Sequence, residues 1–303
     1  RPDRRRGGAR ARSAAQDTAS RCAQGAAHGV AQDKAVGDPG RGRPPMNVLV
    51  FDIETVPDVE LGRRIHGLGG LDDAQVAKAM YTLRRQENGS DFLALEQHRV
   101  VAISCMLRSR EQLRVWSLGD LESTEADLIT RFFDGIDKYS PDLVSWNGGG
   151  FDLPVLHYRA LKAGVQAPRY WETGDNDTSF RYNNYLSRYH WRHVDLMDVL
   201  SSFQPRARAS LADMAGLLGF PGKLGFSGEQ VWGAVLAGEL AAVRNYCETD
   251  VLNTYLILLR FELFRGRLDA TGHRLELERL RGLLRAAQEP HLQQFLQAWG
   301  PGD

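Results

Sequence analysis

Three short stretches carry residue types suited to one chemistry. The first, Val48-Leu49-Val50-Phe51-Asp52-Ile53-Glu54-Thr55, is an apolar run of strand formers that ends in two carboxylates. Its length and β-branched content predict a buried central strand. Side chains alternate faces along a strand, so Asp52 and Glu54 project the same way. Two like charges at the end of a buried strand repel and lose solvation. A divalent cation removes both costs, and hard carboxylate oxygens suit Mg²⁺ or Mn²⁺. Taken alone, D-x-E also reads as a strand running into a solvated polar turn.

The second stretch, Leu143-Val144-Ser145-Trp146-Asn147-Gly148-Gly149-Gly150-Phe151-Asp152, is a short strand followed by three glycines. Consecutive glycines let the backbone pass close to a ligand or a neighbour. Asp152 then sits near the N-terminus of the next helix, where a capping role is the alternative. The third is Tyr246-Cys247-Glu248-Thr249-Asp250, inside a helical pattern from Glu239 to about Arg265. Tyr246 and Asp250 are four apart and share a face. That face continues through Val243, Cys247, Thr254, Ile257 and Phe261, so it is expected to meet the core. An aspartate there is costly unless it is paired or metal-bound; a structural Asp bonded to Tyr is the other reading.

In this order, D-x-E, N-x₃-F-D and Y-x₃-D resemble the Exo I, Exo II and Exo III motifs of the DEDD 3′–5′ exonucleases, tyrosine-bearing (DEDDy) branch. The spelling around Phe51–Thr55 and Asn147–Asp152 is most similar to the proofreading domain of family B DNA polymerases. Val194–Leu200 and Phe220-Pro221-Gly222-Lys223 resemble stand-alone bacterial exonucleases related to that domain. The resemblance covers roughly Met46 to Arg265. It implies an α/β, ribonuclease H-like mixed sheet flanked by helices. It implies that Asp52, Glu54, Asp152 and Asp250 hold two divalent cations, Mg²⁺ or Mn²⁺, for hydrolysis at a 3′ end. Tyr246 would position or help activate the attacking water; Asn245 precedes it, and no histidine lies within the motif. Asn147 and the glycines would guide the terminal nucleotide, with Phe151 beside its base or sugar. The implied substrate is nucleic acid with a free 3′ end, expected to be single-stranded DNA, and the implied product a nucleoside 5′-monophosphate in a repair or proofreading setting. An exoribonuclease of the same fold, or a non-catalytic binding or proofreading subunit, are the alternatives.

The 303 residues are 43% hydrophobic and 25% charged, a composition that packs into a globule. Net charge is zero, but residues 1–45 hold ten Arg and Lys against four Asp. The remainder is therefore acidic, which excludes a globally basic nucleic-acid footprint but not a carboxylate-built nuclease with a local basic groove. Cys22, Cys105 and Cys247 are odd in number and widely spaced, arguing against a disulfide framework or zinc site and fitting a reducing cytoplasm. Neither a membrane span nor a secretory signal is expected.

Residues 1–45 lack Leu, Ile, Met and aromatics and read as a disordered basic extension, with Met46 as the expected start. Residues 58–97 form an insertion with a helix capped at Asp72-Asp73. A hairpin over His98–Arg108 and Gln112–Leu118 supplies the antiparallel half of the sheet. A helix capped by Thr124 leads to Leu143–Trp146, parallel to the first strand. The segment 169–193 mixes seven aromatics with four arginines. Arg181, Tyr185 and Arg192 are its candidates for stacking and pairing with single-stranded nucleic acid, against a loop that packs its aromatics inward. His193–Leu196 is the expected last strand, with Asp195 as a cap near the site. Ser210 caps a helix, and a short helix precedes the long one at Glu239. Residues 266–303 add two amphipathic helices that cover the domain or present a protein-partner surface.

Overall fold

The computed structural model describes residues 47–110 and 112–300. The basic extension and Met46 lie outside them. All that follows concerns the described residues.

The apolar run around Phe51 is strand β1, Val48–Pro57, at the centre of a five-stranded sheet. On one side it pairs antiparallel with β2, His98–Arg108, which pairs antiparallel with β3, Leu113–Ser117. On the other it pairs parallel with β4, Asp142–Ser145, which pairs parallel with β5, His193–Asp195. The order β3-β2-β1-β4-β5 is the ribonuclease H-like mixed sheet. Helices α3, Glu125–Tyr139, and α4, Asp152–Ala163, follow β3 and β4. Thr124 and Asp127 form the reciprocal N-terminal bonds that start α3.

Period-2 alternation in β1 divides the core. Leu49, Phe51 and Ile53 join the apolar faces of α3 and α4. Val48 and Val50 face the opposite way, onto α8, Leu240–Phe264. Asp52 and Glu54 share the parity of Val48 and Val50, so β1 delivers both carboxylates to the α8 side. A register shift between Glu54 and Thr55 breaks the ladder there, a common device where a strand re-aims a functional side chain.

Helix α8 differs from the single-stripe expectation. Every residue from Val251 to Leu259 is buried, because this half passes between the sheet and two further helices. Those are α9, Ala270–Ala286, and α10, Pro290–Trp299. Leu280, Leu284, Leu292, Phe295 and Trp299 belong to the same buried cluster as Val48 and Val50. The covering role therefore holds for the C-terminal helices' apolar faces. A buried ion pair, Arg108 Nε to Glu276 Oε2 at 2.6 Å, fastens α9 to the end of β2.

The insertion holds two helices rather than one: α1, Val59–His66, and α2, Asp73–Asn88. α1 is hidden in the sequence because Gly62 interrupts it. A Cβ at Gly62 would lie 2.4 Å from Met80 Sδ of α2, so glycine is what allows the two helices to close. Short helices α5 (Leu196–Leu200), α6 (Leu211–Leu217) and α7 (Val231–Leu236) complete the unit. Among the described residues, no helix is long and apolar enough to cross a membrane.

Candidate active site

The site is assembled from the ends of β1 and β4 and one turn of α8. The Ile53 amide donates to Asp152 Oδ1 at 3.1 Å, fixing the first residue of α4 against β1. Asp152 lies in the positive first turn of its helix, which favours a carboxylate there. Tyr246 and Asp250 come from α8, one helical turn apart. Ligand atoms of Asp52, Glu54 and Cys247 lie within 4.8 Å of one another.

The carboxylates act on each other. Burial, then repulsion from Asp152, Glu54 and Asp250, holds Asp52 well above the ordinary carboxylate range. Glu54 is raised by burial and by Asp250 and Asp152, with the Lys223 ammonium pulling it down. Burial pushes Asp152 up to about 7, against the pull of the backbone bond from Ile53. Burial pushes Asp250 up to about 6, with the Tyr246 hydroxyl and Lys223 opposing. The Tyr246 phenol is raised by burial and then by Asp250 and Glu54, so it remains a proton donor. The Cys247 thiol is likewise raised by burial and the neighbouring carboxylates, and keeps its proton.

The glycine turn has a steric explanation. Asn147 adopts φ 66°, a left-handed conformation that Asn tolerates better than most residues. A Cβ at Gly148 would meet Ser145 Oγ at 2.2 Å, and one at Gly150 would meet Asn147 Oδ1 at 2.5 Å. Asp195 caps the turn, accepting from the amides of Asn147 at 2.9 Å and Gly149 at 3.0 Å. Asp195→Ala leaves these amides without their partner. It is expected to cost about 2 kcal/mol, read as a lower melting temperature together with reduced activity.

Beside Glu54 runs a groove of about 1170 Å³. Its floor is Ile53–Pro57, one wall comes from α2 and the segment after it, and the other from residues 227–233. Phe92, His98 and Phe151 form an aromatic cluster on it, with ring centroids 5.1–5.5 Å apart. Lys78, Arg85 and Lys223 also line it together with Glu54, Asp91 and Glu229, and Arg85 is paired with Asp91, so the groove carries both signs of charge.

Phe151 thus lies on the groove, and Asn147 shapes the turn that leads to it. The candidates from the aromatic segment do not join them. Tyr185 is 2% exposed, its hydroxyl donates to the Pro141 carbonyl at 2.7 Å, and its ring stacks on Tyr170. The Arg192 guanidinium lies 3.7 Å from the Phe180 ring centroid, and its Nε donates to the Asn183 carbonyl. Arg181 is exposed but does not line the groove. The segment has almost no regular structure; Tyr170, Phe180 and Tyr185 are buried and hold it to the domain, whereas Trp171, Tyr182, Tyr189 and Trp191 stay exposed away from the groove. Tyr185 and Arg192 are thus engaged within the fold, and neither lines the groove.

Sequence reasoning missed Lys223, Phe92 and Trp232. Lys223 follows Gly222, at φ 63°, in a loop that the Asn253 side chain of α8 grips through both its amide groups, each 3.0 Å from Gly222 backbone atoms. The only signal was Pro221-Gly222 before a lone cation.

Three comparisons bear on this geometry. Residues 90–299 match a family described as predicted 3′-5′ exonucleases related to the exonuclease domain of PolB. The match begins after β1, so it contains Asp152, Tyr246, Asp250, α9 and α10 but not Asp52 or Glu54. A stretch of 42 residues, 14% of this chain, is 48% identical to DNA polymerase 1 of Saccharolobus solfataricus and covers 5% of that protein. The solved structure of the family B DNA polymerase from the hyperthermophilic archaeon Pyrobaculum calidifontis is similar at 19% identity and a TM-score of 0.41, over 85% of this chain and 28% of that one. The chain thus spans only a small part of either polymerase. On the family match, which takes in more than half of it, the chain belongs to the predicted 3′-5′ exonucleases related to the exonuclease domain of PolB.

Proposed function

We propose that this protein is a metal-dependent 3′–5′ exonuclease acting on single-stranded DNA. The observation that carries the reading is the convergence of Asp52, Glu54, Asp152 and Asp250, each raised by burial, with Lys223 as the cation that acts on Glu54 and Asp250. Buried carboxylates that repel one another store a cost that a cation repays. The carboxylate donors are hard oxygens, which fit Mg²⁺ or Mn²⁺, ions that soft sulfur such as that of Cys247 suits poorly. When bound, two such ions supply an acidified water and neutralise charge at the leaving 3′-oxygen.

The chain's own residues do the rest. Asp52, Glu54, Asp152 and Asp250 would hold the ions, and the Tyr246 hydroxyl, one helical turn from Asp250, would orient the water. Phe151 and Phe92 offer apolar faces to the terminal base, since stacking on aromatics tolerates any base. Lys223 is placed to neutralise a phosphate oxygen as charge develops on it. Water attacks phosphorus, the bond to the 3′-oxygen breaks, and that oxygen takes up a proton. A nucleoside 5′-monophosphate leaves.

Lys223→Ala is expected to slow turnover about 10²-fold with the fold retained by circular dichroism; equal rates would remove the lysine from the mechanism. The reading itself is tested by incubating linear and circular single-stranded DNA of one sequence with Mn²⁺ and analysing the products. Mononucleotides from the linear form alone support it. Cleavage of the circle, or no products, would sink it.

A further inference from the structure

A line of polar groups crosses the packed interface between α8 and the sheet, starting at Asp52. Cys247 is fully buried, with its sulfur 3.5 Å from Asp52 Oδ2 and 3.4 Å from the Asp52 carbonyl oxygen. Ser104 stands directly opposite Asp52 in the β1–β2 pairing, and Ser117 directly opposite Ser104 in the β2–β3 pairing. The two serine oxygens are 2.9 Å apart. Ser117 Oγ donates to Glu248 Oε1 at 2.7 Å, and His291 Nε2 lies 2.8 Å from Glu248 Oε2. His291 is the second residue of α10.

The chemistry of the donors gives this line a direction. A carboxylate only accepts, so Ser117 O–H and His291 Nε2–H both point at Glu248. Ser117 then has only lone pairs for its neighbour, so Ser104 O–H points at Ser117. The Cys247 S–H is the donor that faces Asp52, and Glu248, its neighbour on α8, is the residue that Ser117 and His291 grip. Around this line the interface is apolar, with Val56, Val101, Ala102 and Val243 beside Cys247. Buried polar groups cost stability unless satisfied, and alanine or valine would pack here without that requirement. What the grip on Glu248 achieves is a fixed helix turn that sets the Cys247 thiol against one side of the Asp52 carboxylate.

We propose that Cys247 is a positioning residue for Asp52. Ser117 and His291 grip Glu248, the next residue on α8, and so hold the turn that carries Cys247; the start of α10 thereby helps to set the affinity of the site for a divalent cation. The proposal rests on the metal-dependent reading above. It assigns the C-terminal helix a part in the site through contacts outside the three motifs.

The test is titration of the full chain with Mn²⁺ alone, by calorimetry or electron paramagnetic resonance, with folding followed by circular dichroism. Cys247→Ala and His291→Ala remove a donor, whereas Cys247→Ser and His291→Gln keep one. The alanine variants are expected to bind Mn²⁺ about tenfold more weakly, the scale of losing an outer partner of a metal ligand, with Ser and Gln within about twofold of the parent. Alanine variants that bind like the parent would overturn the proposal, as would Ser and Gln variants as weak as alanine. If Cys247→Ala does not fold, the His291 pair decides alone. A folded parent that binds no Mn²⁺ overturns the metal-dependent reading itself. A parent that binds, with all four variants alike, overturns the positioning line only.

Discussion

Replacing Asp52 by asparagine is expected to slow shortening of a 3′ end by roughly 10³-fold or more, the rate equivalent of several kcal/mol of metal-derived charge stabilisation. The same change should raise the melting temperature of the metal-free protein at pH 8. Asparagine keeps the shape of the side chain but removes a carboxylate that burial and repulsion from Asp152, Glu54 and Asp250 hold above its ordinary range. The gain should shrink as the pH falls and the parent's carboxyls take up protons. A variant that is both inactive and less stable at pH 8 would mean that Asp52 supports the fold and is not a strained member of a cation site.

The second large effect is the response to metal. Asp152 titrates near 7 and Asp250 near 6 in the folded protein, above the unfolded aspartate value of about 3.9. Groups with raised folded values contribute stability that is fully present below the unfolded value and is lost as the pH rises through the folded one. The metal-free protein should therefore lose stability between about pH 4 and 7 on account of these groups. Cations bind the deprotonated form, so they should restore most where most has been lost. At one hundred times its dissociation constant, Mn²⁺ adds about 2.7 kcal/mol, a rise of roughly 5–10 °C for a unit of this size. Thermal melts at pH 8 should show that rise, with a smaller one at pH 5.5 and reversal by a chelator. A larger shift at pH 5.5 would contradict the carboxylate origin of binding.

Much of this site was legible in the sequence because its parts are short-range patterns. The alternation in β1 placed Asp52 and Glu54 on one face, and the Thr124 cap and hairpin spacing gave α3, β2 and β3 nearly to the residue. Asp195 was readable as a cap because strand ends deliver such residues to adjacent turns. What escaped depended on contacts between distant segments. Gly62 disguised α1, since its reason is Met80 eighteen positions away. Lys223 reaches the carboxylates only because Asn253 grips its loop. The rings of 169–193 resembled a stacking platform in composition, yet a segment without its own ladder must bury rings such as Tyr170, Phe180 and Tyr185 to be held at all. Composition does not say which way a ring faces. The serines at 104 and 117 carried no signal, because their meaning lies in register across three strands.

The most direct measurement is digestion of matched 5′-labelled DNA and RNA oligonucleotides with Mg²⁺ or Mn²⁺, alongside an Asp250→Ala control. The account predicts a ladder that shortens from the 3′ end of the DNA, requires the metal and disappears in the control. Intact substrates, or a ladder that the Asp250→Ala protein also produces, would contradict it.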